Sequence, residues 1–126
     1  MFNYSKKNNL PYSKFRNNHS FESRSNESMR IKNKYPDKIP VICEKDWNSS
    51  IPETDKQKYL VPSDMTISNF LFVIRKRLKL NNQEAIFLSI QDIIPTSRTT
   101  FYELYEKYKY SDGFLYIVYS KENTFG

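Results

Sequence analysis

The residues that could carry chemistry in this chain are few, and the C-terminal Gly126 is the first of them. A residue without a Cβ can enter a narrow enzyme channel in backbone conformations that other residues avoid. Its terminal carboxylate is therefore a candidate handle for covalent attachment. Taken alone, a final glycine is explained more simply as the point where the chain stops, so the rest of the sequence has to decide between the two interpretations.

Neither of the two residues most suited to catalysis predicts an enzyme. His19 is the only histidine and follows a region predicted to be mobile, so a nucleophile would have to reach it from elsewhere. Cys43 is the only cysteine, and beside Ile42 in a predicted strand a buried, inert thiol is the usual outcome. The sequence has no glycine-rich phosphate loop and no cluster with metal-ligand spacing, and its carboxylates are spread over predicted loops and helix surfaces. No catalytic residue, metal or cofactor is predicted.

The composition predicts one folded domain with a single core, because 126 residues is an ordinary domain size and 38% of them are hydrophobic. The net charge of +6 favours an acidic partner, either an anionic lipid headgroup, an acidic peptide or a nucleic acid. The N-terminus lacks the apolar stretch of a secretory signal, and the longest apolar runs are too short to span a bilayer. We expect a soluble protein unless something attaches it to a membrane.

The N-terminal part of the chain predicts an extension followed by a helix. Residues 1–18 are rich in Asn, Ser and Lys, which is typical of a mobile extension, here ending in a short helix. Residues 19–38 form a predicted helical subdomain, in which Ser20 caps a helix and Pro36 ends it. One face of this helix is strongly basic through Arg24, Arg30, Lys32 and Lys34.

Two strands follow this helix. Residues 39–43 and 57–61 are rich in β-branched and aromatic side chains, and the polar residues 46–55 between them predict a loop. Pro40 lies inside the first run and Pro62 follows the second, so at least one of these strands is predicted at a sheet edge. An edge strand offers unpaired backbone groups to a partner.

The C-terminal half predicts two more helices and two more strands. Thr66 caps a helix to Leu78 with an apolar stripe and a basic C-terminal end, where positive charge suits the helix dipole. Residues 85–90 form a strand, residues 100–108 a short helix, and Asp112 and Gly113 a turn before the strand at 114–119. That last strand is apolar at nearly every position and should be covered on both faces.

The order of these elements is that of a β-grasp. The predicted fold class is α+β, a ubiquitin-like β-grasp with a four-stranded mixed sheet and an N-terminal helical extension. Residues 39–120 form its predicted core, and residues 121–126 a flexible tail that ends in Gly126.

Four segments and the closing Phe125-Gly126 pair carry a resemblance to a known family. They are residues 31–45, 55–64, 72–77 and 114–120, and with the regions between them they cover nearly everything from His19 onward. In that order they resemble the autophagy ubiquitin-like modifiers, the family of the GABA-receptor-associated protein and the microtubule-associated-protein light chain 3. The GABA-receptor-associated branch looks most similar.

The resemblance implies a function for Gly126. Members are joined through a C-terminal glycine to the amine of phosphatidylethanolamine on autophagosomal membranes, after ATP-driven transfer between ubiquitin-like activating and conjugating enzymes. The modifier is then a substrate and not a catalyst, cytoplasmic as a monomer and on the autophagosomal membrane when lipidated. A cysteine protease that processes or deconjugates the chain is a further implied partner. Whether Gly126 is encoded as the last residue or exposed by proteolysis stays open.

The resemblance also implies a groove for short peptides of cargo receptors and adaptors that carry an aromatic residue, two spacers and an aliphatic residue. Such a peptide adds a strand beside residues 58–60. The aromatic pocket is then lined by Glu27, Ile31, Pro40, Ile42, Lys58, Leu60 and Phe114. The aliphatic pocket is lined by Tyr59, Val61, Pro62, Met65, Phe70, Val73 and Ile74. Acidic residues that flank the peptide would contact Lys34, Lys38, Lys56 and Arg77.

Several alternatives stay open. Five pocket residues could equally be plain core residues or serve both roles, namely Ile42, Leu60, Phe70, Ile74 and Phe114, and the four cations could form a solvated basic face. The chain could be a trafficking or cytoskeletal adaptor of the same fold that is never lipidated. It could also be a basic nucleic-acid-binding module that uses the cations between Arg75 and Lys79.

Overall fold

The structure, a computed structural model, describes residues 12–81 and 84–121 of the chain. Its elements, in chain order, are α1 (Lys14–Asn18), α2 (Phe21–Lys34), β1 (Lys38–Lys45), β2 (Lys58–Pro62), α3 (Ile67–Leu78), β3 (Phe87–Ser89), α4 (Phe101–Tyr108) and β4 (Leu115–Ser120). The predicted order of helices and strands is confirmed, although β3 is shorter than the segment predicted at 85–90. In the described part of the chain, no helix is both long enough and apolar enough to cross a bilayer.

Side-chain caps begin the three longer helices, as local sequence predicts. The Ser20 hydroxyl accepts a hydrogen bond from the first turn of α2, and Thr66 does the same for α3. Thr100 and Glu103 form a reciprocal capping box at the start of α4. These caps satisfy backbone N–H groups that have no partner within the helix, so each helix begins at a fixed residue.

The four strands form one mixed sheet in the order β2-β1-β4-β3. β1 runs antiparallel to β2 and parallel to β4, and β3 runs antiparallel to β4. The prediction of an edge strand is confirmed for β2, which ends at Pro62. Pro40 lies in the interior strand β1, but the ladder with β4 begins only at Val41, so the missing N–H of Pro40 does not interrupt that ladder.

Helices cover both faces of the sheet. On one face, Val41 and Ile117 pack with Phe70 and Ile74 of α3 and with α4 in the main hydrophobic core. On the other face, Phe114 is also fully buried, although it lies outside that core, and α1 and α2 cover it. The last strand is therefore covered on both faces, as its apolar sequence predicts.

A buried ion pair joins α2 to the turn before β4. Arg24 Nη1 donates to Asp112 Oδ2 at 2.5 Å, and the Tyr116 hydroxyl donates to the same oxygen at 2.6 Å. Ser28 Oγ donates to the backbone oxygen of Asp112 at 2.5 Å. The prediction that Arg24 belongs to the basic face of the helix is wrong, because its side chain is buried, and Asp112 lies in the predicted turn but is buried as well. The physical reason is that each charge neutralises the other across 88 positions of sequence.

The short helix α1 packs against the sheet. Its N-cap Ser13 is buried and accepts from Arg16 N, and Phe15 N donates to Glu44 Oε2 at 3.0 Å. The Arg16 guanidinium lies 4.7 Å from the centre of the Tyr116 ring. The predicted short helix is present, and residues 12–18 are held by the sheet, whereas residues 1–11 of the predicted mobile extension lie outside the described residues.

Gly113 permits the close approach of α2, and we predict that Gly113→Ala destabilises the fold. Its φ of +91° disfavours a side chain, and a Cβ would clash with Ser28 Oγ and lie 3.0 Å from Ser28 Cβ. The strain should lower the free energy of unfolding by roughly 1–3 kcal/mol, measured by urea denaturation. The exposed neighbour Ser111→Ala is the control and should change stability by about 0.5 kcal/mol or less. Equal stability of the two variants would contradict the prediction.

Candidate functional site

The outer edge of β2 presents backbone groups to solvent. Cys43 N donates to Gln57 O at 2.8 Å, and bonded pairs alternate along an antiparallel ladder. Tyr59 therefore bonds to β1, whereas the N–H and C=O of Lys58 and Leu60 point to the other side. Among the described strands none pairs there, so this edge can accept another strand.

The residues predicted for the aromatic pocket come together between β2 and α2. Pro40 lies opposite Leu60, and Ile42 lies opposite Lys58. Lys58 Nζ forms an ion pair with Glu27, and this pair links β2 to α2. Phe114 is fully buried directly before β4, and Ile31 lies one turn after Glu27 and is half-buried.

The floor of this pocket is covered in the structure. Ile42 and Phe114 have no exposed surface, and the Phe15 ring lies edge-on to Phe114, with 5.2 Å between ring centres. Lys58 Nζ lies 5.7 Å from the centre of the Phe15 ring. An aromatic side chain that reaches Phe114 must therefore displace Phe15, and one that enters beside Lys58 must displace the ion pair of Lys58 with Glu27. Since this pair is partly exposed, it contributes only about 0–1 kcal/mol and is easily displaced.

The residues predicted for the aliphatic pocket divide into two groups. Tyr59, Val61, Phe70 and Ile74 are buried members of the main core, and the Tyr59 and Phe70 rings meet edge to face at 5.3 Å. Burial raises the pKa of Tyr59 to about 12, so its hydroxyl stays neutral and donates to Lys56 O. The half-buried members are Pro62, Met65 and Val73. These three form the part of the predicted pocket that a ligand can reach without opening the core.

The four predicted flanking cations lie at two ends of β2. Lys56 Nζ lies 4.9 Å and Arg77 Cζ 5.9 Å from the centre of the Tyr59 ring, close to where β2 begins. Arg77 also pairs with Asp55 at 3.0 Å. Lys38 lies opposite Pro62, where β2 ends, and Lys34 ends the helix that precedes β1. An acidic peptide lying along β2 would therefore meet positive charge at both of its ends.

Phe15 belongs to this region, although the sequence did not single it out. Its ring contacts Phe114 and, at 4.6 Å between centres, His19. The aromatic residues near the N-terminus follow no clear period, so the sequence pattern did not predict that Phe15 packs against the sheet. The signal that could have found it is Ser13, a good N-cap residue three positions before Arg16, which fixes α1 and with it Phe15.

Cys43, the only cysteine, is inaccessible in the folded chain. Cys43 is fully buried, and desolvation raises the pKa of its thiol, with the neighbouring Glu44 as a second cause. Within residues 12–81 and 84–121, no group of His, Cys, Asp and Glu is arranged to hold a metal ion. Gly126 lies outside the described residues. The described chain ends at Lys121, whose N–H donates to Ser49 Oγ at 3.1 Å.

Comparisons with known proteins agree with this fold. Residues 23–126 match the model of a family described as autophagy protein Atg8, ubiquitin like. Autophagy-related protein 8 of Mycosarcoma maydis is 54% identical over 114 residues, which are 90% of this chain and 97% of that protein. The Schizosaccharomyces pombe protein of the same name is 55% identical over 90% of this chain and 94% of its own length.

A solved structure gives the same result in three dimensions. The crystal structure of Trypanosoma brucei ATG8 superposes with a TM-score of 0.84 at 44% sequence identity, over 91% of this chain and 99% of that one. Assignment to the GABA-receptor-associated branch stays a prediction, since these relatives carry the general family name. The chain belongs to the Atg8 family of autophagy-related ubiquitin-like modifiers.

Proposed function

We propose that this autophagy modifier is conjugated through Gly126 to phosphatidylethanolamine and recruits cargo receptors and adaptors through the edge of β2. The observation that carries the peptide-binding part is the outward-facing backbone of Lys58 and Leu60 between two apolar regions. Strand addition supplies main-chain hydrogen bonds, and side-chain pockets supply specificity. The family match, which includes residue 126, supports the conjugation part.

The spacing of the recognised motif fits the two faces of the sheet. Side chains of an extended peptide alternate between faces, so residues three positions apart point to opposite sides, roughly 10 Å apart along the strand. The aromatic pocket lies on the α2 face with Ile42 and Phe114, whereas the aliphatic pocket lies on the α3 face with Phe70. An aromatic residue, two spacers and an aliphatic residue therefore match one pocket on each face.

The same geometry gives the peptide a direction. The aromatic pocket lies beside Lys58 near the start of β2, and the aliphatic pocket extends toward Pro62 and Met65 at its end. Since the aromatic residue comes first in the motif, the peptide runs parallel to β2. Acidic residues before the motif then approach Lys56, and those after it approach Lys38.

The contacts predict weak individual binding. Two buried side chains contribute about 1.5–3 kcal/mol each, and ordering the peptide offsets part of this, so micromolar affinity is expected. Flanking charges adjust it by about 1 kcal/mol or less per exposed pair. Many copies on one membrane would bind multivalent cargo far more tightly than one copy in solution.

Conjugation gives the chain the role of a substrate. A carboxylate is a poor electrophile, so activating and conjugating enzymes carry Gly126 as a thioester, and the amine of the lipid displaces their thiol to form an amide. The two acyl chains of the lipid hold the protein on the autophagosomal membrane, whereas one chain gives only marginal binding. Before lipidation the chain is cytoplasmic, and a cysteine protease could reverse the attachment.

Leu60→Ala should weaken peptide binding about tenfold or more. Leu60 is 40% exposed, so its removal deletes groove surface and leaves the core intact, unlike the buried Tyr59. Calorimetric titration with an acidic peptide that carries the aromatic and aliphatic residues measures the change. Ile94→Ala is the matched control, because Ile94 is 41% exposed and follows the strand at the opposite edge of the sheet. Unchanged affinity of the Leu60 variant would exclude the groove.

Gly126→Ala should abolish lipid attachment and leave peptide binding unchanged. The reacting carboxylate must pass through the narrow channels of the conjugating enzymes, which a Cβ obstructs. A reconstituted reaction with activating enzyme, conjugating enzyme, ATP and phosphatidylethanolamine vesicles, read by mass spectrometry, measures conjugation. A lipidated alanine variant would contradict the role of Gly126, and a wild-type chain that is never lipidated would favour the unlipidated adaptor.

Cys43 should not react with thiol reagents while the chain is folded. Its side chain is fully buried and its raised pKa keeps it protonated, so raising the pH from 7 to 9 should not speed its modification. Reaction with an aromatic disulfide reagent, followed by absorbance, should become complete only in denaturant. Rapid modification of the native chain would instead indicate a reactive thiol and reopen the question of an enzyme.

A further inference from the structure

A cavity of about 460 Å³ lies at the corner of the sheet between α1 and the loop that joins β1 to β2. This volume falls in the range of ordinary ligand pockets. Its aromatic lining comes from Tyr12, Phe15, Trp47 and Tyr119. Trp47 is 67% exposed and Tyr12 is 54% exposed, so two large rings at this cavity still face solvent.

The charged groups around the cavity already have partners. Lys14 pairs with Glu53 at 3.0 Å, Glu44 accepts from the backbone N–H of Phe15, and Lys45 donates to Ser49 O at 3.0 Å. Two lysines and two glutamates leave no formal net charge, since two positive and two negative charges cancel. The lining is therefore neutral overall, unlike the basic surroundings of β2, and its rings lie among the polar side chains of Asn18, His19, Thr54 and Gln57.

The cavity lies next to the start of β2 and beside the predicted aromatic pocket. Gln57 lines it and directly precedes Lys58, the first residue of β2. Phe15 also lines it, and its ring packs on Phe114 of the aromatic pocket, so Phe15 is a shared wall. A peptide that runs parallel to β2 would extend its N-terminal part in this direction.

We propose that this cavity, here called the Trp47 pocket, binds an uncharged apolar or aromatic side chain located two residues before the aromatic residue of the docking peptide. The inference rests on the proposed function, because it uses the same peptide and direction. Residues two apart in an extended strand point to the same face, and α1 lies on the face that holds Phe114. The occupant is neutral because the formal charges of the lining cancel and each charged side chain already has a hydrogen-bond or ion-pair partner. The sequence preference for the peptide therefore extends beyond the aromatic and aliphatic positions of the motif.

The test uses Trp47 as its own probe, because it is the only tryptophan in the chain. Three peptides share an acidic flank, a phenylalanine in the aromatic position and a leucine in the aliphatic position, and differ only by Phe, Ala or Asp two residues before the motif. Calorimetry should give about tenfold tighter binding for the Phe peptide than for the Ala peptide, and no gain for the Asp peptide. Trp47 emission should shift to the blue with the Phe peptide alone.

The Trp47→Ala variant separates a specific pocket from a general gain in hydrophobicity. It should bind the Ala peptide as the wild type does and lose most of the advantage of the Phe peptide. Equal affinity of the Phe and Ala peptides, or an advantage that survives in the variant, would overturn the Trp47 pocket and leave the groove intact. Blue-shifted emission in the peptide-free chain would assign the cavity to another occupant and also overturn the proposal. If the Ala peptide fails to bind at all, the groove itself is wrong.

Discussion

The buried pair of Arg24 and Asp112 is the interaction on which the rest of this structure depends. A charge out of water is costly unless it is paired and hydrogen-bonded, and here Tyr116 and Ser28 complete the network around Asp112. Burial, followed by the hydrogen bond to Asp112, raises the pKa of Tyr116, so its hydroxyl remains a donor. The network fixes α2 above the start of β4. This position brings Glu27 of α2 within reach of Lys58 on β2, at the predicted aromatic pocket.

The two faces of the sheet differ in how deeply their residues are buried. The α3 face carries the main core, which is why most residues predicted for the aliphatic pocket are buried. The α2 face carries a thinner layer, in which Phe15 covers Phe114 and a weak surface ion pair covers the pocket. β2 lies at the edge of both layers. An added strand can therefore place one side chain on each face. The two side chains must be an odd number of residues apart, because successive side chains of a strand point to opposite faces.

Local features of this fold could be predicted from the sequence, and features made by distant residues could not. Ser20 and Thr66 cap helices by accepting hydrogen bonds from residues three positions later, so a short segment of sequence is enough to predict these caps. Arg24 and Asp112 meet across most of the chain, and a charged residue in a basic helix gives no local sign of burial. The residues assigned to the two pockets come from the family resemblance, and their role in binding stays a prediction. The cavity beside Trp47 could not be predicted, because Trp47 lies in a polar loop and the cavity forms between this loop and α1, which is distant in sequence.

The central claim is that a peptide adds as a strand to the outer edge of β2, and amide hydrogen exchange at Leu60 tests it most directly. In the free chain the N–H of Leu60 points away from β1, whereas that of Tyr59 bonds to it. Two-dimensional NMR should show fast exchange at Leu60 and slow exchange at Tyr59. Saturating aromatic-x-x-aliphatic peptide should slow exchange at Leu60 severalfold or more and leave Tyr59 protected. Unchanged exchange at Leu60 in the bound state would contradict strand addition.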